Sequence, residues 1–195
     1  MVLDALPEQF KMLQSKDEII TRTGTLAIEQ VIDGSLGAYA AGDVVGADDC
    51  CTTLAIPWIL DIRDAIPGFP AGGAVWIVGA ELFNETENLE VQYDFLTFNV
   101  VPTGMLVDNS ANTNPLKGDK ASYNAPRISF PITTAGGATV ATTMGVTPNT
   151  TGGLPKLFRC AAADTKIYGV LVTNTAHTQT AGDIIRITLH ITPEH

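Results

Sequence analysis

The sequence predicts an all-β protein, a jelly-roll-like β-sandwich with an N-terminal arm, and three observations carry that prediction. Short runs rich in β-branched and aromatic residues recur along the chain, separated by Gly and Pro clusters such as Pro67-Gly68-Phe69-Pro70-Ala71-Gly72-Gly73. Charged residues make up 16% of the chain, well under the usual share of about 25%, while hydrophobic residues reach 45%. The final segment alternates strictly: Ile185, Ile187, Leu189 and Ile191 share one face, and Arg186, Thr188 and His190 share the other.

At 195 residues the chain is long enough to bury one sizeable core, and all-β folds of this length often form one domain. Residues 1–20 read as an arm. Pro7 is placed to open a short helix, and Phe10, Met12 and Leu13 offer an apolar contact, but so short a segment is not stable alone. Residues 21–195 then form the sandwich. Thr25–Ile32 alternates in part, with Leu26, Ile28 and Ile32 as core candidates, and a Gly-Asp turn precedes Val44-Val45. Leu54–Leu60 is apolar around Pro57, which suits an edge strand or a strand start.

Ala74–Phe83 is almost continuously apolar, as expected of a strand covered on both faces or lying mid-sheet. Glu90–Val100 carries bulk on both faces, so both are expected to be buried, with Leu96 and Phe98 as candidates for contact with a partner. Residues 102–126 read as a long polar connection, and 133–153 as a Thr/Gly/Ala tract with at most a short strand at Thr139–Met144. Arg127–Thr134, Pro155–Ala162, Lys166–Asn174 and Asp183–Thr192 complete a count of about nine strands, which points to a sandwich. The long connections favour a jelly roll over a meander.

The net charge of −10 disfavours binding to phosphate backbones, and no basic stripe offsets it, so no nucleic-acid partner is expected. No apolar run approaches the ~18 residues of a membrane span, and the N-terminus lacks the basic start and apolar centre of a signal peptide. Cys50, Cys51 and Cys160 show no metal spacing and suit a reduced protein made in the cytoplasm, with Cys160 a small buried strand residue.

Templates for chemistry find little. There is no G-x-S-x-G elbow, P-loop or H-E-x-x-H. His190 and His195 read as solvated, and His177 lies in a polar turn from which it can reach a partner. Glu81, Glu85, Glu87, Glu90 and Asp94 crowd one strand–turn–strand corner, where two carboxylates at glycosidase spacing are conceivable, but exposed turn acids explain them equally well. The string from Asp108 to Asp119 places oxygen-bearing residues as a calcium loop does, yet Thr113 replaces the required Gly and Pro115 interrupts it. No catalytic residue, metal or cofactor is expected.

Four stretches carry a resemblance: Ala38-Tyr39-Ala40-Ala41-Gly42-Asp43-Val44-Val45-Gly46, Gly72–Leu82, Pro155-Lys156-Leu157-Phe158-Arg159-Cys160-Ala161, and Lys166-Ile167-Tyr168-Gly169-Val170-Leu171 running to Thr178–Leu189. In order and spacing the chain resembles small jelly-roll structural proteins of bacteriophage virions, encoded near the major capsid gene. The resemblance implies a head decoration (cement) or minor capsid protein, often a homotrimer, on the outer surface of the virion. Its partners would be the major capsid protein and its own copies. The alternative is a tail, spike or fibre module that recognises host-surface glycans through loops 102–126 and 133–153, where only Tyr123 offers an aromatic platform. A small sandwich hydrolase using the acids near Glu85 is the third reading.

Overall fold

The computed structural model describes residues 23–31, 37–46, 56–132, 141–146 and 153–194. Antiparallel strands form two five-stranded sheets that pack face to face. In the first, β1 (Gly24–Val31) pairs with β12 (Ile184–Pro193), and β12 with β5 (Ala74–Asn84). The free edge of β5 is shared: β9 (Lys156–Arg159) takes residues 74–77, and β8 (Thr142–Val146) takes residues 80–84. In the second sheet β3 (Val44–Val45) pairs with β10 (Lys166–Thr173), β10 with β6 (Tyr93–Phe98), and β6 with β7 (Tyr123–Phe130). β4 (Trp58–Asp61) pairs with the first half of β10, on the same edge as β3. A two-residue ribbon joins β2 (Ala38–Tyr39) to β11 (His177–Thr178).

The main core lies between the sheets, where the inward residues of alternating strands meet. Ile185, Ile187, Leu189 and Ile191 of β12 are at most 1% exposed, as their spacing predicts. Beside Val75, Ile77 and Leu82 of neighbouring β5, they share one core with Tyr93, Phe95, Ile128, Phe130, Ile167 and Leu171 of the second sheet. Helix α1 (Ile62–Ala65) is a single turn after β4, capped by the Asp61 carboxylate, which accepts from Arg63 N at 3.0 Å. It turns the chain into the Pro/Gly cluster, where Gly72 adopts a φ of 72° and lies against the backbone of Ala162, so a side chain there meets both backbone strain and a neighbour.

The two strands that read as apolar are covered in different ways. β5 sits mid-sheet, but its outward face is open: Trp76 is 39% exposed, and Glu81 is exposed beside half-buried Phe83. A register shift opposite His190/Ile191 leaves Val78 without a partner on β12, so apolarity runs through the bulge without implying two covered faces. β6 is buried on both faces along its whole length. Its outward residues Leu96 and Phe98, expected to meet a partner, are instead covered within the chain. They form a second cluster with Val44, Leu106, Val170 and Val172, flanked by Met105, Tyr123 and Tyr168.

The cover comes from the connection between β6 and β7. It is shorter than its composition suggests, since β7 starts at Tyr123, and it contains a 3-10 helix at Lys117–Ala121. Backbone bonds from Asn109 N to Val44 O, Val44 N to Ser110 O and Asn112 N to Gly42 O, each 2.9 Å, lay the segment along the outer edge of β3. The expected arm contacts Phe10, Met12 and Leu13, together with Ile32, Cys50, Cys51 and His195, lie outside the described residues.

Candidate functional site

The outer face of the second sheet ends in a cleft of about 390 Å3. Asp94 and Leu96 of β6 and Val172 of β10 form its floor, and Tyr123 and Arg127 of β7 one wall. Asn112, Asn114 and Pro115 close the opposite side, with Gly42 and Asn174 at the ends. Strand alternation produces this arrangement: with Tyr93 and Phe95 committed to the main core, Asp94 and Leu96 must face outward.

Asp94 is 7% exposed. Its Oδ2 accepts from Asn174 Nδ2 at 2.8 Å and pairs with Arg127 Nη1 at 3.3 Å, while Oδ1 is buried without a hydrogen-bond partner. The Arg127 side chain is 60% exposed, so the pair joins a buried anion to a cation at the rim. On the loop side, Asn114 N donates to Asn112 Oδ1 at 2.8 Å and Asn112 Nδ2 donates to Asn114 O at 3.2 Å. Asn114 Nδ2 donates to Met105 O, and Asn114 Oδ1 is a second buried acceptor without a partner. The Tyr123 ring leans on Phe98 at 5.1 Å, and burial raises its hydroxyl pKa above the ordinary value.

The remaining sequence candidates are dispersed. Glu81 faces out from the first sheet and pairs with His190 Nε2 at 3.1 Å, whereas Asp94 faces out from the second, so these two acids of the corner lie on opposite faces of the sandwich. Glu85 accepts from Ile184 N at 2.9 Å, and with Glu87, Thr180 and Asp183 it lines an open depression. In the calcium-like string, Asp108 accepts from the Tyr39 hydroxyl at 2.9 Å and from Gly46 N at 2.7 Å. Asp119 accepts from Thr103 N and Oγ1 and from Leu116 N. Asp108 therefore fastens the loop to the β2–β3 region, and Asp119 closes the loop on itself. Among the described residues no group of three His, Cys, Asp or Glu side chains is placed to hold a metal.

His177 is not in a free turn. Its ring stacks on Tyr39, its Nε2 lies 2.9 Å from Gln179 Nε2 and 3.3 Å from the Tyr93 hydroxyl, and its Nδ1 lies 2.9 Å from Thr175 O. Burial lowers its pKa, opposed by the bond to Thr175 O. Cys160 is 4% exposed, and burial, then the nearby Asp164 and Asp61 charges, push its thiol up to about 12, which keeps it protonated and unreactive.

Sequence reasoning noted Asp94 only as one of a run of acids, and it missed Arg127, Asn174, Asn112 and Asn114 as its neighbours in the cleft. Asn174 directly follows β10, and Arg127 stands opposite Leu96 in the β6–β7 register, so only the pairing of the strands brings them together. No family model matches the chain, and no curated protein matches it.

Proposed function

We propose that this protein is a non-enzymatic jelly-roll domain that acts by packing, as a decoration protein on the outer surface of a phage head that stabilises the major capsid lattice. The observation that carries the reading is the order of the strands. One sheet runs β1-β12-β5-β8 with β9 beside β8, and the other runs β4 and β3, then β10, β6 and β7. Followed along the chain, the path enters the first sheet, crosses to the second, and returns to each in antiparallel pairs, with the last strand inserted beside the first. That nesting is the expected path of a jelly roll, an architecture shared by viral capsid and lectin domains.

Further support comes from the resemblance of the four stretches named above and from the charge. A net charge of −10 suits the outside of a shell better than a lining against DNA. Self-association as a homotrimer, with residues 1–20 reaching the lattice, completes the proposal. It is tested by measuring mass in solution by light scattering, and binding to preformed shells of the phage that encodes it, for the full chain and for a chain lacking residues 1–20. A trimer that binds shells, and loses binding with the arm, is the expected result. A monomer that binds no shell overturns it.

A further inference from the structure

We propose that the free edge of β1 pairs with β1 of a second copy of this chain, antiparallel about a two-fold axis at Ile28, joining two five-stranded sheets into one. The contact is separate from the proposed three-fold association and from lattice binding: it joins copies, or trimers, in pairs.

Of the sheet edges, β1 is the one that is both long and unguarded. Among the described residues its eight residues pair with β12 alone, so the N–H and C=O groups along its other side have no strand partner there. β7 is as long, but it contains Pro126, which has no N–H, and Asn124 Nδ2 ties it to Arg159 O at 2.8 Å. The loop lines β3 through the bond from Asn109 N to Val44 O, and β4, β8 and β9 are each five residues or shorter. β1 contains neither Pro nor Lys, the usual guards of an exposed edge.

The core is also left open along this edge. α1 closes it at the start of β1, where Gly24 lies against Ala65 and Leu26 is 3% exposed. Further along, inward-facing Ile28 and Gln30 are only half-buried, and Val31 is 54% exposed. The strand is self-complementary there. With the axis at Ile28 the two Ile28 side chains meet, Leu26 stands opposite Gln30, Ala27 opposite Glu29 and Thr25 opposite Val31, so inward residues meet inward ones throughout. An axis one residue further, at Glu29, would set two carboxylates against each other. Glu29 is the single charged residue of β1 and pairs with Arg186 at 3.4 Å, so two chains of net charge −10 can approach here without opposing like charges.

One strand pair makes a small interface, so the full chain is followed by light scattering from about 10 μM to about 1 mM, a range that brackets weak association. The mean mass is expected to double with concentration, whether the dilute species is a trimer or a monomer, so the three-fold contact is judged separately. Hydrogen exchange at alternate amides of β1 is expected to slow in step with the mass. Gln30→Lys would place an ammonium opposite Leu26 on the inward face of the pair, and is expected to hold the mass at its dilute value. Ile132→Lys adds the same charge beyond the end of β7, at a residue 60% exposed, and is expected to double as wild type does. The exchange measurement needs no variant and stands if Gln30→Lys folds poorly. The proposal is overturned if the mass does not rise by about 1 mM, if Gln30→Lys doubles as wild type does, if Ile132→Lys blocks doubling equally, or if the mass doubles while exchange in β1 is unchanged.

Discussion

The Tyr39 ring lies almost parallel to the imidazole of His177, with 5.1 Å between centroids and 6° between planes. This stack joins the β2–β11 ribbon to a buried polar group, because His177 Nε2 also approaches Gln179 and the Tyr93 hydroxyl. Burial depresses the His177 pKa below its ordinary 6.5 in the folded protein. As pH falls through about 6.5 the unfolded chain therefore takes up the proton first, and folding loses stability; above that pH the residue costs nothing. Tyr93, whose hydroxyl burial shifts upward, stays neutral throughout, and the Tyr39 hydroxyl is held by Asp108. The melting temperature is expected to fall between about pH 8 and about pH 5, and to fall less in His177→Gln, which keeps a polar atom near Gln179. Equal slopes for the two proteins would contradict this account.

Leu106 is 5% exposed and is the loop's main apolar anchor on the outer face of the second sheet, in one cluster with Phe98 and Val170. Leu106→Ala is expected to cost about 2–5 kcal/mol, the usual range for removing a buried leucine. The loss should be local before it is global. Hydrogen exchange is expected to accelerate first at Val44 and Asn109, whose amides bond across the loop–strand junction, while β12 stays protected. Uniform acceleration would mean that the loop and sheets open as one unit.

β12 was legible because its alternation is local: a period of two sorts Ile185, Ile187, Leu189 and Ile191 from Arg186, Thr188 and His190 without knowledge of any other strand. The two-sided burial of β6 was legible for the same reason, from its bulk on both faces. What covers the outer face was not, because Leu106 belongs to a segment that reads as polar from its Asn, Asp and Lys content. The cleft was hidden more deeply. Asp94 meets Arg127 across 33 residues and Asn174 across 80, and each of these residues alone is an ordinary polar side chain next to a strand or turn. β5 lies mid-sheet, one of the two placements its apolarity predicts, but an apolar count does not say which way Trp76 points.

Gly169 lies on the inward face of β10, where a Cβ would overlap the ring of Phe95, itself fully buried between the sheets. The ring has no solvent to move into, so Gly169→Ala must shift packed side chains or the strand. A cost of about 1–3 kcal/mol or more is expected from overpacking. Gly79→Ala is the comparison: its added carbon would lie 3.0 Å from Cδ2 of a half-buried His190, which can turn outward. Denaturant midpoints are expected to rank wild type and Gly79→Ala together, well above Gly169→Ala. A Gly79→Ala loss as large as that of Gly169→Ala would show that strand backbone, not ring crowding, sets the cost.

The two tryptophans divide between core and surface, which gives the sandwich an internal probe. Trp58 is 1% exposed and donates its indole N–H to Val45 O at 2.9 Å, whereas Trp76 is 39% exposed on the outer face of the first sheet. In Trp76→Phe the remaining emission is expected to be blue-shifted and almost insensitive to acrylamide; in Trp58→Phe it is expected to be red-shifted and readily quenched. The second variant also loses a buried hydrogen bond, worth about 0.5–1.5 kcal/mol, and leaves space beside Val45 where the larger ring packed. Trp58→Phe is therefore expected to melt well below wild type, with Trp76→Phe within about 0.5 kcal/mol of it, as for a surface change. Strong quenching in Trp76→Phe would place Trp58 in contact with solvent and overturn the packing of β4 against the main core.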